Sequence, residues 1–223
     1  MKASGSAVKI CGISTFEIYH HCADVGVDWI GMVFFKKSPR HLELSTAAAL
    51  AQRSDKELVP ASRPGRVALV VDADDAYLEA IISHARPDML QLHGHEKPAR
   101  IAEIKQRFGL PVMPVISVSS ANDIAQASEV AELADWILFD AQPSPDSDGL
   151  PGGTGSSFDW SYLAGFKNDT PWMLAGGLNA GNVREAISIS DARAVDISSG
   201  VEKNRGEKSK SAISAFVQAA KLR

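Results

Sequence analysis

Trp136-Ile137-Leu138-Phe139-Asp140 decides how this chain is read. Four apolar residues ending on one carboxylate have the length and pattern of a parallel strand buried on both faces. Ligands of α/β proteins gather at the carboxyl ends of such strands, which puts Asp140 where chemistry is done. An aspartate after a strand also caps turns by accepting backbone N–H groups, and this stretch alone leaves both readings open. Downstream, a polar loop leads to Gly152-Gly153-Thr154-Gly155 and Trp160.

The same strand-then-helix unit recurs on either side. Buried strands are expected at 8–12, 29–35, 66–72, 89–94, 111–117, 136–140, 171–177 and 194–200. Between them lie helical signals. Ser14 and Glu17 have capping-box spacing before a stripe of Ile18, Cys22 and Val25, and Ser45 precedes an Ala-rich helix over 46–53. Leu78, Ile81, Ile82 and Ala85 share a face, as do Ile101, Ile104 and Phe108 between Pro98 and Gly109. Ser120 and Asp123 open a helix over 121–133, whereas 159–164 has room for only a short one. Asn179 is placed to cap a helix carrying Val183, Ala186 and Ile187, and Ile213, Phe216, Val217 and Ala220 line the last. Eight strands alternating with eight helices predict an α/β fold, a (β/α)8 TIM barrel in which residues 1–223 make a single domain. A doubly wound open sheet is the alternative, but no Gly-x-Gly-x-x-Gly follows the first strand, which removes its dinucleotide-binding form.

Composition narrows the functions. The chain has 223 residues, 45% of them hydrophobic and 22% charged, as expected of a globular protein. Its net charge of −4 speaks against a nucleic-acid surface, so a phosphorylated ligand would need a local site. Neither the first seven residues nor any later run has the apolar length of a signal peptide or a membrane span. Two cysteines make no disulfide framework, and no His/Cys/Asp grouping has metal spacing. A cytoplasmic protein without a metal is expected.

In a barrel, Cys11, Arg40, His93, Asp140, Gly176-Gly177 and Ser198-Ser199-Gly200 converge on one mouth. Small residues after the seventh and eighth strands let a phosphate reach backbone N–H groups, although paired glycines also serve plain turns. Arg40, on the stiff Ser38-Pro39-Arg40 turn, offers a planar fork to a carboxylate or stands solvated on the surface. His93 reads as a hydrogen-bonded structural histidine or as a site residue. A thiol and a carboxyl above a phosphate site suit proton shuttling on a sugar phosphate, with Cys11 taking a proton from carbon and Asp140 giving one to oxygen.

These residues also carry a resemblance. Lys9-Ile10-Cys11-Gly12, Gly31 to Phe34, Lys37-Ser38-Pro39-Arg40-His41, Gln91-Leu92-His93-Gly94, Gly152 to Gly155 with Phe158-Asp159-Trp160, Ala175-Gly176-Gly177-Leu178 and Val195 to Glu202 are similar to the phosphoribosylanthranilate isomerase family, in order and over the whole chain. The resemblance implies a cofactor-free Amadori rearrangement of N-(5'-phosphoribosyl)anthranilate in tryptophan biosynthesis, acting on a small phosphorylated substrate. By position it implies Cys11 as general base and Asp140 as general acid, Arg40 on the anthranilate carboxylate, and Gly177, Ser198, Ser199 and Gly200 in the phosphate loops. Gly176 and His93 join them as expected substrate contacts. A monomer is expected rather than a homodimer. Asp72 stands where the family often has Asn, and Ser156 where a longer polar side chain is common. An indole-glycerol-phosphate synthase would need barrel lysine and glutamate residues, for which only Lys9 is offered, and a sugar-phosphate sensor would bind without turnover.

Overall fold

A computed structural model describes residues 5–142 and 157–222. Eight parallel strands close into a barrel in chain order, β1 to β8: Ala7–Cys11, Trp29–Val33, Gly65–Val70, Met89–Leu92, Val112–Val118, Ile137–Ala141, Trp172–Leu174 and Ala194–Ile197. Closure is the pairing of β1 with β8, from Ala7↔Ala194 to Ile10↔Ile197. The predicted barrel is therefore the fold. An open sheet would leave β1 and β8 as unpaired edges, and closure removes both.

Helices α1 (Phe16–Asp24), α2 (Leu44–Glu57), α3 (Asp75–Ala85), α4 (Pro98–Phe108), α5 (Ala121–Ala131), α6 (Val183–Ser190) and α7 (Lys210–Lys221) surround the strands. Seven of the eight expected helices are α-helices among the described residues, and the short one expected over 159–164 is a 3-10 turn. Between β6 and β7 there is one 3-10 turn, Trp160–Leu163, capped by Asp159. Several boundaries also move. Thr15 rather than Ser14 caps α1, taking the Ile18 N–H on its hydroxyl, and α6 starts behind Asn182 instead of Asn179. Asn179 and Asn182 instead bond each other in a turn ahead of the helix, the backbone N–H of Asn179 donating to the Asn182 side chain. The capping box of Ser120 and Asp123 is present as read. A short antiparallel ribbon, β9 (Glu202–Asn204) with β10 (Glu207–Lys208), lies between β8 and α7 and carries no apolar alternation by which to anticipate it.

Strand alternation divides the core in two. Outward-facing residues such as Val8, Ile10, Ile30, Leu90, Phe139 and Val195 pack on the helices in one large cluster. Inward-facing Val67, Met89, Met113, Leu138, Met173 and Ala194 make a second, the apolar floor of the barrel. Further along the same inward faces, at a spacing of two, the floor gives way to polar groups. Met89 is followed by Gln91 and His93, Leu138 by Asp140, and Ala194 by Asp196, while β1 brings Lys9 and Cys11. Residues 143–156 include Gly152 to Gly155 and Ser156, which lie outside the described residues.

Phe139 locks β6 in place beneath Asp140. It is fully buried and meets Phe166 and Trp172 edge-on, with ring centroids 5.2 and 5.7 Å away. Phe139→Ala removes these contacts and leaves a cavity, so urea denaturation is expected to show a loss of about 3–5 kcal/mol. A loss below about 1 kcal/mol would mean that β6 is not held by this aromatic cluster.

Candidate active site

Cys11 is the last residue of β1, buried, with its Cα beside Gly31 of β2. A Cβ on Gly31 would stand 2.8 Å from the Cys11 Sγ, so glycine makes the space in which the thiol sits. Burial pushes the thiol above its ordinary value, while Lys9 pulls it back most strongly. On the next residue, Gly12, φ is +83°, and a Cβ there would come within 2.7 Å of the Arg40 Cδ. The glycine thus lets the arginine stem lie directly over the end of β1.

Asp140 projects inward from β6, where its Oδ1 accepts the Ala141 N–H at 2.9 Å. The side chain thus bonds a neighbouring backbone N–H within β6 rather than capping a turn, and it does so from a position inside the barrel. Burial, reinforced by the negative charge of Asp196, pushes Asp140 up to about 7, against smaller opposing effects of the Ala141 N–H and Lys9. A carboxyl there is poised to give and take a proton near neutrality. His93 stands beside it, with Nε2 3.7 Å from the Asp140 Oδ2. Its Nδ1 faces the Gln91 Nε2 at 3.2 Å. The Gln91 side-chain amide thus holds the ring from its Nδ1 side, with Nε2 toward Asp140.

Arg40 is not the solvated surface arginine weighed as an alternative. It is buried, and its Nε and Nη2 donate to Glu202 Oε1 and Oε2 at 2.7 and 2.9 Å, a bidentate pair. Lys208, also buried, donates to the Glu202 Oε1 at 2.7 Å and to the Ser198 carbonyl at 2.8 Å. Ser198 in turn donates its hydroxyl to the Cys11 carbonyl at 3.1 Å. One chain of polar contacts thus runs from the Arg40 fork, through Glu202 and Lys208, to the loop after β8 and the base of Cys11. That loop continues as a 3-10 turn, Ser199–Val201, and Gly176 and Gly177 follow β7 with φ of +89° and +62°.

Sequence reading missed Glu202 and Lys208 as site components, because charged residues in a Glu-Lys-rich segment look like solvated surface. Lys9 and Asp196 were each visible inside a strand, but their pairing across β1 and β8 needed the closed barrel. Asp72, the departure at the third strand, has φ of +46° and accepts the His95 N–H at 2.7 Å. Asn and Asp both tolerate that left-handed backbone and both offer the accepting oxygen, so the exchange is conservative in form.

The chain matches the family model described as N-(5'phosphoribosyl)anthranilate (PRA) isomerase over residues 8–219. The N-(5'-phosphoribosyl)anthranilate isomerase of Parvibaculum lavamentivorans is 51% identical over 215 residues, covering 96% of this chain and 97% of the relative. That of Rhodospirillum rubrum is 47% identical over 219 residues, covering 97% and 98%. The chain belongs to the PRA isomerase family. Among solved structures, PRA isomerase from Thermotoga maritima superimposes with a TM-score of 0.82 at 32% identity, over 97% of this chain and 98% of that one. A PRA isomerase bound to reduced 1-(o-carboxyphenylamino)-1-deoxyribulose 5-phosphate superimposes at 0.79 with 31% identity, over 97% and 98%.

In this PRA isomerase barrel, Glu202 is the hub of the rim network. Burial alone would raise its carboxyl, but Arg40 and Lys208 overcome that and hold it at about 2, well below the ordinary 4.5. A depressed carboxylate contributes stability that is present above the unfolded value and lost as pH falls through the folded one. Glu202→Gln is therefore expected to destabilise by a constant amount above about pH 4.5, the difference shrinking as pH falls toward about 2. Urea melts of both proteins across that range check it, and a pH-independent difference would detach Glu202 from the two cations.

Proposed function

We propose that Cys11 and Asp140 are the general base and general acid of the reaction for which the family is named. The chain is an aldose–ketose isomerase of tryptophan biosynthesis, converting N-(5'-phosphoribosyl)anthranilate to 1-(2-carboxyphenylamino)-1-deoxyribulose 5-phosphate. Opening the furanose breaks the bond from C1 to the ring oxygen, and an alkoxide would be too basic a leaving group near neutrality. Asp140 gives that oxygen a proton as the bond breaks, while the anthranilate nitrogen supplies the electron pair that leaves an iminium at C1. The C2 proton, now acidified by the adjacent iminium, passes to the Cys11 thiolate. The resulting enolamine takes a proton at C1 and gives up the proton of its C2 hydroxyl, which leaves the ketone at C2. Proton gains and losses balance, and no electron leaves the substrate.

The observation that carries this reading is a carboxyl and a thiol brought to one mouth at strand ends. Burial and a neighbouring anion hold the carboxyl at about 7, as a working acid needs, while burial raises the thiol and Lys9 opposes that rise most strongly. Substrate contacts follow from the same mouth. Gly176, Gly177, Ser198, Ser199 and Gly200 expose backbone to the phosphate, where side chains offer little obstruction. Arg40, its Nε and Nη2 held by Glu202, takes the anthranilate carboxylate through the rest of its guanidinium, and His93, with Nε2 3.7 Å from the Asp140 Oδ2, touches the ring oxygen's side of the substrate. All of these residues come from one closed barrel, which supports a single domain over residues 1–223. Among the described residues no helix is long and apolar enough to cross a membrane, in keeping with the cytoplasm as its place of work.

Separate variants test the two roles. Cys11→Ala is expected to lose roughly 100- to 10,000-fold in kcat with an unchanged melting temperature, and Asp140→Asn to lose kcat while product affinity stays within a few-fold. Near-normal turnover by Cys11→Ala would remove the thiolate from the reaction. An Asp140→Asn protein that keeps its kcat would reduce Asp140 to a partner of the Ala141 N–H.

A further inference from the structure

Two charges lie beneath the acid and the base and take no part in the proton transfers above. Lys9 is wholly inaccessible, and its Nζ is 2.9 Å from the Oδ1 of Asp196, itself buried. They meet because β1 and β8 are paired in register at these two residues. The residues two positions before them, Ala7 and Ala194, belong to the apolar floor, and a buried ion pair gives no stability that well-packed apolar residues of similar volume would not. Burial alone would push the Lys9 ammonium down, but Asp196 and Cys11 hold it above its ordinary value, so it remains a cation.

We propose that Lys9 and Asp196 form a positioning pair, a fixed internal dipole whose cation lies under the base Cys11 and whose anion acts on the acid Asp140. Lys9 is two residues before Cys11 on one strand, so both side chains enter the barrel on the same face. The charged groups that act on Cys11 are Lys9, Asp196, Lys208 and Arg40, and those that act on Asp140 are Asp196, Lys9 and the facing His93. Lys208 and Arg40 are both already bonded to Glu202. Lys9 and Asp196 act on both members, and in opposite senses. At the thiol the lysine outweighs the aspartate and favours thiolate; at the carboxyl the aspartate outweighs the lysine and favours the acid.

This matters because burial leaves the thiol above its ordinary value of 9.0 and the carboxyl at about 7. Thiolate with carboxylic acid is then the minor proton arrangement of the pair, and its population falls about tenfold for each unit by which the two values separate. The dipole narrows that gap. Removing it widens the gap from both ends.

The inference rests on the acid–base reading above, and its test is the pH dependence of kcat/KM in the full-length protein. Lys9→Met/Asp196→Leu replaces the pair by apolar side chains of similar volume and is expected to keep or raise the melting temperature. Its maximal kcat/KM is expected to fall at least about tenfold, with the acid flank moving to lower pH and the alkaline flank to higher pH. Asp196→Asn removes the anion alone, and both flanks are then expected to move to lower pH, so the inference stays testable should the double variant fail to fold. A rate loss with flanks that coincide with those of the unaltered protein would make the pair purely structural and overturn the inference. If Cys11→Ala retains turnover, the acid–base reading itself fails; if Cys11→Ala is inactive and the flanks of Lys9→Met/Asp196→Leu or Asp196→Asn stay fixed, only the dipole fails.

Discussion

The pairing of β1 with β8 is the constraint on which the rest of the molecule depends. It joins residues 187 positions apart, setting Lys9 against Asp196 and the Cys11 carbonyl against the Ser198 hydroxyl. Without it the sheet would have two open edges, and Cys11 would stand on one edge while the loop after β8 hung from the other. Because this contact is so distant in sequence, its loop-closure entropy has to be offset by burial along all eight strands. The apolar inner floor and the larger outer cluster supply that burial, and both are built by the period-two alternation of each strand.

The alternation also explains how much of the fold was legible. A run such as Trp136 to Phe139 has one reading, and each strand found this way was real to within about two or three residues at its ends. Helix starts were harder. Ser14 and Thr15 are adjacent and both can cap, and only the observed acceptance of the Ile18 N–H by Thr15 decides between them. Asn179 and Asn182 pose the same ambiguity three residues apart. Only a short helix was expected over 159–164, and among the described residues a 3-10 turn stands there.

The candidate site was legible where a residue ends a strand, as with Cys11 and Asp140, or where loops are small, as after β7 and β8. It was opaque where the role depends on a partner far along the chain. Glu202 and Lys208 look like surface charges in the sequence, yet both are enclosed against Arg40. Lys9 looks like an intrusion into an apolar strand until Asp196 is seen across the β1–β8 seam. Polar groups in these places are not required to hold the barrel, since well-packed apolar residues of similar volume would hold it as well.

The central claim is that one chain, through a thiol and a carboxyl at the mouth of this barrel, isomerises N-(5'-phosphoribosyl)anthranilate. The direct measurement supplies the purified protein with that substrate, generated in place, and follows the loss of its fluorescence with a chelator present and no cofactor added. The account expects a decay whose rate is proportional to protein concentration and whose product is the 1-deoxyribulose 5-phosphate. A decay no faster than the spontaneous breakdown of substrate without protein would contradict it.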